Sequence, residues 1–397
     1  MPTKVTATKK TEGRHQLLSQ VIAKQNNRAR QNIDLWRQAQ KRAENVEKPR
    51  RNQINNLYDE ITLDSHLSSE IQKRILAITG GAFTLNNTEG DIDDEKTAMF
   101  KKPWFYKAMH LAMESIFYGH RLIQIGDLNE KKEISNVSII PPNHVVPEFG
   151  TFLKQETDEE GVQYREDPLI YGYLLEVGDN HNLGLLNKCV PHVLYKRFAQ
   201  AAYSEYTEIF GMPVRVGKTN TKDERALNNM EQMLINMGTA GWSVIDIDDQ
   251  LELLQGTDGK GDVYSNLMRF CNNELSENVN GAIIGGDSKG GSRSKEEVGE
   301  RIVGAITMAD KQFIESWVNY NVIPKLIGLG YPLEGFTFNF AEQKDLKEAW
   351  TIAQGLLNHY DIEPEWINST FGIPVIPKKV PTATPADNLS NSANFFG

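Results

Sequence analysis

Apolar residues recur every three or four positions in several stretches of this chain, and each such stretch predicts an amphipathic helix. The first helix is expected over residues 63–79, where Gly80 and Gly81 end it. Its apolar face would carry Leu67, Ile71, Ile75 and Leu76. A second helix is expected over 103–119, closed by Gly119.

The stretch from 13 to 45 is also compatible with a helix, because it lacks internal Gly and Pro. Its apolar residues are concentrated near its start, at Leu17, Leu18, Val21 and Ile22. A helix that is otherwise polar cannot form a core of its own. This segment must therefore lie on another surface or project from one.

Alternating patterns typical of strands lie between and after these helices. We expect strands at 121–125, 138–140, 169–177 and 192–195, and an acidic turn or loop over 86–95. Together with the two helices, these strands predict a mixed α+β unit that ends near residue 196.

Helices and strands then alternate more sharply. A helix over 198–210 would stop at Gly211-Met212-Pro213, and a strand at 214–216 would follow. A helix over 221–237, with Thr219 or Thr221 as its N-cap, would precede a strand at 242–254. A further helix over 262–278 would complete this insert.

A glycine-rich segment over 281–295 leads into the longest apolar repeat of the chain. The repeat consists of Val298, Ile302, Ala305, Ala309, Phe313, Trp317 and Tyr320. It predicts a long helix to about residue 327, kinked or stopped near Pro324. A strand at 336–340, helices at 342–357 and 364–371, and a polar, proline-containing tail from 374 would follow.

Charge is distributed unevenly along the 397 residues, whose net charge is −10. Residues 1–51 carry 13 Lys or Arg against 4 Asp or Glu, a net +9, so the remainder carries −19. A simple nucleic-acid binder would instead have a basic contact face. A basic arm on an acidic body fits a protein whose arm binds an acidic neighbour while its body does not bind DNA tightly. A solvated polar helix would show the same charges.

No apolar run approaches the ~20 residues that span a bilayer, and the N-terminus lacks the apolar core of a signal peptide. We therefore expect a protein that is made in a cytoplasm and has no membrane partner. Cys189 and Cys271 have no metal-ligand spacing, so we interpret them as buried thiols.

Two segments could suggest chemistry. The glycine-rich run lacks the Gly-Lys-Ser/Thr ending and the preceding strand of a phosphate-binding loop, so a mobile loop is the preferred interpretation. Asp246, Asp248 and Asp249 could suggest a two-metal nuclease, but Asp249 would lie on the opposite strand face from the other two. A solvated strand edge is the simpler interpretation. We expect no catalytic residues, no metal and no cofactor.

The stretch from Tyr206 to Lys218, which contains Phe210-Gly211-Met212-Pro213 and a short basic strand, resembles the signature of the Mu-like phage portal family. Three later features are similar to that family. They are the turn Asn236-Met237-Gly238, the Val/Ile-rich strand that starts at Val244, and the glycine-rich loop that leads from Gly285 into a long helix reaching Ala309.

The resemblance implies an α+β portal-type fold with a mixed wing domain, a helical stem, an α/β clip, a long tunnel helix and a small helical crown. The implied division, with a basic arm and a disordered tail at the ends, is 1–58 arm, 59–196 wing, 197–210 stem helix, 211–256 clip, 257–281 stem helix, 282–295 tunnel loop, 296–340 long helix and second part of the wing, 341–375 crown and 376–397 tail.

By the same resemblance, the chain would form a homo-oligomeric ring, a dodecamer, at the capsid vertex of a virion. Its implied partners are double-stranded DNA in the channel, the large subunit of terminase, head–tail adaptor proteins and the major capsid protein. The DNA-channel residues would be Gly285, Gly286, Ser288, Lys289, Gly290, Gly291, Arg293 and Lys295. The clip residues facing terminase or adaptors would be Arg215, Lys218, Lys222, Arg225, Asp246, Asp248 and Asp249.

An acidic body agrees with this expectation, because each phosphate that a protein neutralises holds DNA more tightly and hinders sliding. Two alternatives stay open on sequence alone. One is a metal-dependent nucleic-acid-processing enzyme that uses the three aspartates. The other is a different scaffold, such as a head–tail adaptor.

Overall fold

The structure is a computed structural model that describes residues 33–126, 133–156, 158–210, 215–236, 242–246, 262–283, 293–341, 346–356 and 362–373. The chain divides into two compact units, residues 1–340 and 341–397. The first unit holds most of the described elements.

Within the described residues of the first unit, eleven helices have these bounds: α1 (33–43), α2 (Asn52–Ile61), α3 (Ser65–Thr79), α4 (Asp94–Phe100), α5 (Pro103–Tyr118), α6 (Pro168–Tyr171), α7 (Leu186–Phe210), α8 (Glu224–Asn236), α9 (Asp262–Asn280), α10 (Arg293–Trp317) and α11 (Ile323–Gly328). The second unit contains α12 (Leu346–Leu356) and α13 (Pro364–Phe371). No helix in the described ranges is both long and apolar enough to cross a membrane.

The strands are β1 (Phe83–Asn86), β2 (His120–Ile125), β3 (Val137–Ile139), β4 (Val145–Val146), β5 (Thr151–Phe152), β6 (Val162–Gln163), β7 (Leu174–Gly178), β8 (Arg215–Thr219), β9 (Trp242–Asp246) and β10 (Thr337–Phe340). They form four small sheets, in the orders β3-β2-β7, β4-β5-β6, β1-β10 and β8-β9. Only β8 and β9 pair in parallel among these. The predicted α+β class is confirmed.

Helix α5 lies at the centre of the main core. Pro103 occupies its first turn, where the missing N–H costs no hydrogen bond, and Gly119 ends it with a φ of 89°. Phe105 of α5 packs edge-on against Phe100, with ring centroids 4.7 Å apart, and against Phe338 at 5.5 Å. Since Phe338 belongs to β10, the last strand of the unit closes onto its first helices.

Helix α3 follows the prediction, with one correction. Asp64 caps it by accepting hydrogen bonds from the backbone N–H groups of His66 and Leu67. Leu67, Ile71 and Ile75 are buried as expected, whereas Leu76 is 62% exposed and Ile78 is buried instead. A residue next to Ile75 lies about 100° further around the helix, so Leu76 is rotated away from the core.

The strand predicted at 192–195 is wrong, because these residues belong to the 25-residue helix α7. Val190, Val193 and Leu194 are buried at helical spacing. The helix continues through Pro191 because this packing outweighs the loss of one backbone donor. The strand predicted at 169–177 is only partly correct, since Asp167 caps the short helix α6 and β7 begins at Leu174.

In the first hundred residues, α1 takes one of its two expected placements, whereas α2, β1 and α4 differ from expectation. Helix α1 lies on the body, where the Trp36 indole N–H donates to Asn187 at 2.8 Å. Helix α2 and strand β1 were not predicted. Helix α4 begins inside the expected acidic loop, because Asp93 caps it by accepting from the Lys96 N–H.

The long helix predicted to reach residue 327 consists of α10, a π-helical turn over Val318–Val322 and α11. The wider π turn falls directly before Pro324, which lies in the first turn of α11 and therefore needs no partner for its nitrogen. Helices consequently continue through the point where a kink or stop was predicted.

Candidate functional site

Helices α7 and α9 pack side by side and carry between them the insert of residues 211–261. Near the insert, Tyr264 of α9 lies between Tyr203 and Tyr206 of α7, with ring centroids 6.1 and 6.0 Å apart. Towards the body, Cys271 and Leu275 of α9 are buried. These contacts hold two long helices together as one column beside the insert.

The body end of α9 is held by polar contacts to α3. The Asn280 amide donates to the Glu70 carboxylate at 2.5 Å, and the Arg74 guanidinium donates to the Val279 carbonyl. Arg74 also forms an ion pair with Asp310 of α10 at 2.7 Å. The helices before and after the glycine-rich segment are thus joined to the same helix.

Gly281 ends α9 with a φ of 71°. A Cβ atom there would lie 2.7 Å from Cδ1 of Ile306 and 3.0 Å from Cγ2 of Ile302, both on α10. Only glycine combines this backbone conformation with this close approach. The start of the glycine-rich segment is therefore packed against α10, about nine residues and roughly 13 Å after that helix begins.

Six of the predicted channel residues lie outside the described residues, namely Gly285, Gly286, Ser288, Lys289, Gly290 and Gly291. Arg293 and Lys295 lie in the first turn of α10, as predicted for its start. The described residues on either side of this predicted loop follow α9, up to 283, and begin α10, at 293. These two helices are neighbours.

Apolar side chains are exposed along one face of each of the two helices that flank the segment. On α9, Val263, Leu267 and Phe270 are 69%, 37% and 55% exposed. On α10, Val298 and Ile302 are 46% and 40% exposed. Among the later large side chains of the repeat, Trp317 is buried and Phe313 is half-buried, whereas Tyr320 is 79% exposed.

In the described part of the predicted clip, the parallel strands β8 and β9 are covered by helix α8. Gly217 of β8 faces α8 so closely that a Cβ atom would lie 2.7 Å from Met230 and 3.0 Å from Leu234. Leu234 is buried by this contact. Strand β9 is described only to Asp246, so the predicted continuation to 254, with Asp248 and Asp249, lies outside the described residues.

Asp246 has a defined partner at the end of β9. Its carboxylate accepts a hydrogen bond from the Thr221 backbone N–H at 3.1 Å and another from the Thr221 hydroxyl. It thereby fixes the turn between β8 and α8. The predicted N-cap of α8, Thr219 or Thr221, is wrong, because Asp223 accepts from the N–H groups of Arg225 and Ala226.

The predicted basic residues of the clip are distributed over β8 and α8. Arg215 begins β8, and Lys218 is exposed further along that strand. Lys222 and Arg225 are exposed around the start of α8. The exposed Asp223 and Glu224 lie between Lys222 and Arg225, so this surface carries charges of both signs.

Within the described residues, no group of three or more His, Cys, Asp or Glu side chains could hold a metal ion. Both cysteines are buried, as the sequence indicated. Burial raises the pKa of the Cys189 thiol to about 12, so this sulfur stays protonated and unreactive at neutral pH.

A largely buried cluster of charged side chains surrounds Glu176 of β7, and the sequence showed no sign of it. Glu176 accepts hydrogen bonds from His120 at 2.9 Å, from Tyr164 at 2.7 Å and from Arg165. Although burial raises the pKa of Glu176, these donors outweigh that effect and lower it to about 2. The Trp317 indole N–H donates to the Glu176 carbonyl, which ties α10 to the same strand.

Comparison with known proteins identifies the class of protein to which these elements belong. The sequence model of the family described as "Portal protein of Mu bacteriophage" matches residues 55–373. The portal protein of Escherichia phage Mu is 23% identical over 341 residues, which cover 78% of this chain and 65% of that protein. The Mu-like prophage FluMu protein gp29 of Haemophilus influenzae is 20% identical over 345 residues, covering 79% and 65%.

This chain therefore belongs to the family of Mu bacteriophage portal proteins, as the resemblance of its middle third indicated. It spans 65% of the length of the two relatives. Among solved structures, an HK97 family phage portal protein from Corynebacterium diphtheriae is similar with a TM-score of 0.40 and 14% identity, covering 77% of this chain and 97% of that one.

Proposed function

We propose that this chain is the subunit of a closed ring at one vertex of a phage head, through which double-stranded DNA enters during packaging and leaves during ejection. The role is structural rather than catalytic, and the protein would be a component of the virion. Its family membership over residues 55–373 supports this role, as does the excess of negative charge outside the arm.

The main observation that supports a ring is the exposed apolar face of α9 and of α10. Large apolar side chains that are exposed in rows mark a surface that associates with another protein. Closed rings arise when one surface of a subunit binds a different surface of the next. We infer that the row Val263, Leu267 and Phe270 contacts the neighbouring subunit.

The elements would then take the roles that the family suggests. Helices α7 and α9 form the stem, the described parts of 211–256 form the clip, and α10 supports the loop that approaches DNA. Lys289, Arg293 and Lys295 would be the cations nearest the DNA. Terminase and head–tail adaptors would bind the clip, and the major capsid protein would surround the wing, with the crown at 341–375 inside the head.

Negative-stain microscopy and mass photometry of the full chain test the ring. We expect closed rings of about twelve subunits for the natural sequence. Phe270→Asp should break the rings into monomers, because a charge would be buried in the contact. Val46→Asp, at a residue that is 90% exposed but far from the stem in sequence, should leave the rings intact.

Either of two results would contradict this proposal. Rings of unchanged size in the Phe270→Asp variant would exclude the α9 face as the contact. A chain that is monomeric in solution and is also missing from purified heads would exclude the ring itself.

The channel segment is tested separately, by complementing a phage that lacks its own copy of this gene. Deletion of 286–292 should reduce the DNA retained per head. Lys289→Ser keeps the length of the segment but removes its charge, so it separates the two contributions. Normal packaging and retention in the deletion variant would overturn the role of this loop.

A further inference from the structure

A groove of about 480 Å³ opens between β2, β6 and α6. Its floor consists of side chains that are almost fully buried, including Leu122 and Tyr164. Its rim is apolar and exposed, with Leu169 81%, Tyr173 43% and Ile170 38% exposed. A groove with a packed floor and an exposed apolar rim is typical of a surface that binds another segment or protein.

The floor of the groove is rigid. The Tyr164 hydroxyl donates to the Glu176 carboxylate at 2.7 Å, and Glu176 is held in turn by His120 and Arg165. The groove therefore exists before anything binds, so an occupant would not need to open it.

The charges beside the groove indicate which segment could bind there. The segment 154–167, which contributes Val162 and Tyr164 to the groove, contains six acidic and two basic residues. The basic arm already contacts this segment at its described end. Lys48 forms an ion pair with Glu159 at 2.9 Å, and Arg50 donates to the Asp158 carbonyl at 2.6 Å.

The arm also contains an apolar segment of suitable size. Leu17, Leu18, Val21 and Ile22 would lie on one side of a helical turn, and basic residues flank them at Arg14 and Lys24. No other four of the first 32 residues are grouped in this way. Several aliphatic side chains match a groove of this volume and lining.

The arm is long enough to reach. Described residues begin at Ile33, in helix α1, which the Trp36 indole holds beside the start of α7. The eleven residues from Ile22 to Ile33 span up to ~36 Å when extended. Strand β2, which runs from the turn that Arg51 binds towards the groove, is only ~20 Å long.

We propose that residues 17–22 of the arm occupy this groove in the same chain. The apolar side chains fill the groove between β2, β6 and α6, and the flanking cations meet the acidic segment 154–167. Docking would fix the basic arm along the wing rather than leave it to extend into solvent.

Limited trypsin digestion of the full chain tests this assignment at Arg14 and Lys24. Leu169→Asp should raise the cleavage rate at Lys24 about tenfold, the effect of losing one large apolar contact. Leu63→Asp is the matched control, since Leu63 is 79% exposed but does not line the groove. Equal cleavage rates in the natural sequence and the Leu169→Asp variant would overturn the proposal.

A second measurement identifies which chain supplies the arm. In the variant Leu18→Cys/Leu169→Cys, oxidation should form a disulfide within one chain, because the native Cys189 and Cys271 are buried and do not compete. A link between two chains would assign the groove to the arm of a second copy, and no link would leave another protein as its occupant. Either result would contradict docking within the chain.

Discussion

Arg74 of α3 and Asp310 of α10 form a bidentate ion pair, with Nε to Oδ2 at 2.7 Å and Nη2 to Oδ1 at 2.9 Å. Because the third donor of Arg74 reaches the Val279 carbonyl, one guanidinium joins the last turn of α9 to the middle of α10. The glycine-rich segment leaves and returns between these two helices. The pair therefore sets the spacing of the helices that hold the proposed channel loop.

Breaking this pair should be costly because both side chains are nearly buried, at 13% and 6% exposure. We expect Arg74→Met to lower the free energy of unfolding by about 3–5 kcal/mol, since Asp310 would remain buried without its cation. Chemical denaturation of the natural sequence and of the variant measures this difference in the free energy of unfolding. The exposed pair Lys48–Glu159 supplies the control, and Lys48→Met should leave the free energy of unfolding almost unchanged, because solvent screens this pair.

The double variant Arg74→Met/Asp310→Leu should cost less than the sum of its single variants, because it leaves no unpaired charge. A loss for Arg74→Met as small as that for Lys48→Met would show that the pair does not hold α9 and α10 together.

Gly119 is the second position at which a single change should be severe. Its φ is 89°, and a Cβ atom would lie 2.0 Å from the Asn182 carbonyl oxygen. Gly330 has a similar φ of 92° but nothing within 4 Å of that position. Thermal denaturation should show a modest loss for Gly330→Ala, about 1–2 kcal/mol of backbone strain. The loss for Gly119→Ala should be several kcal/mol larger, and equal losses would contradict the close approach.

Acid should destabilise the first unit through Glu176. Its pKa is about 2 in the folded chain, below the ordinary 4.5, so the unfolded chain takes up the proton first as pH falls. The resulting stability is present above about pH 4.5 and is lost between there and about pH 2, by up to roughly 3 kcal/mol. Burial lowers the pKa of His120 below 6.5, which acts in the same direction at higher pH.

Denaturation at a series of pH values checks this expectation. The variant Glu176→Gln should lose less stability than the natural sequence between pH 5 and 3, whereas Glu160→Gln, on an exposed loop, should follow the natural sequence. The same acid dependence in all three proteins would show that other groups control it.

The contact of Thr221 with Asp246 should stabilise the β8–α8 turn, in the region proposed as the clip, locally. Thr221→Val removes the hydroxyl donor, so the amides around 221–225 should exchange with solvent faster. The free energy of global unfolding should change by less than about 0.5 kcal/mol, because these residues are exposed and belong to a small separate sheet. Hydrogen exchange measures both the local exchange rates and the free energy of global unfolding. The variant Thr219→Val, two residues away, is the control. A large global loss would mean that clip and body unfold together.

Local patterns predicted those elements in which burial follows the sequence period. Helices α3 and α5 lie within a few residues of their predicted bounds, because their apolar stripes face a core. The prediction of a strand at 192–195 failed for the converse reason. A short run of buried apolar residues fits a strand as well as a helix, and only its packing against α2 and α5 decides between them.

The apolar repeat of α10 shows the limit of the same reasoning. Its period correctly predicted a long helix, yet Val298, Ile302 and Tyr320 are exposed while Trp317 is buried. Periodicity tells which side chains share a face of a helix, but not whether that face meets this chain, a second copy or solvent.

The amino-acid sequence by itself determined the α+β class, most helices of the first unit and membership of the portal family, since these depend on patterns within a few tens of residues. The tertiary structure alone decided which distant residues meet. Arg74 and Asp310 are 236 positions apart, β1 pairs Phe83 with Phe340, and Glu176 collects donors from β2 and from the segment around Tyr164. The physical reason is that a buried charge or an open strand edge requires a partner, but any distant segment that the common core brings near can supply it.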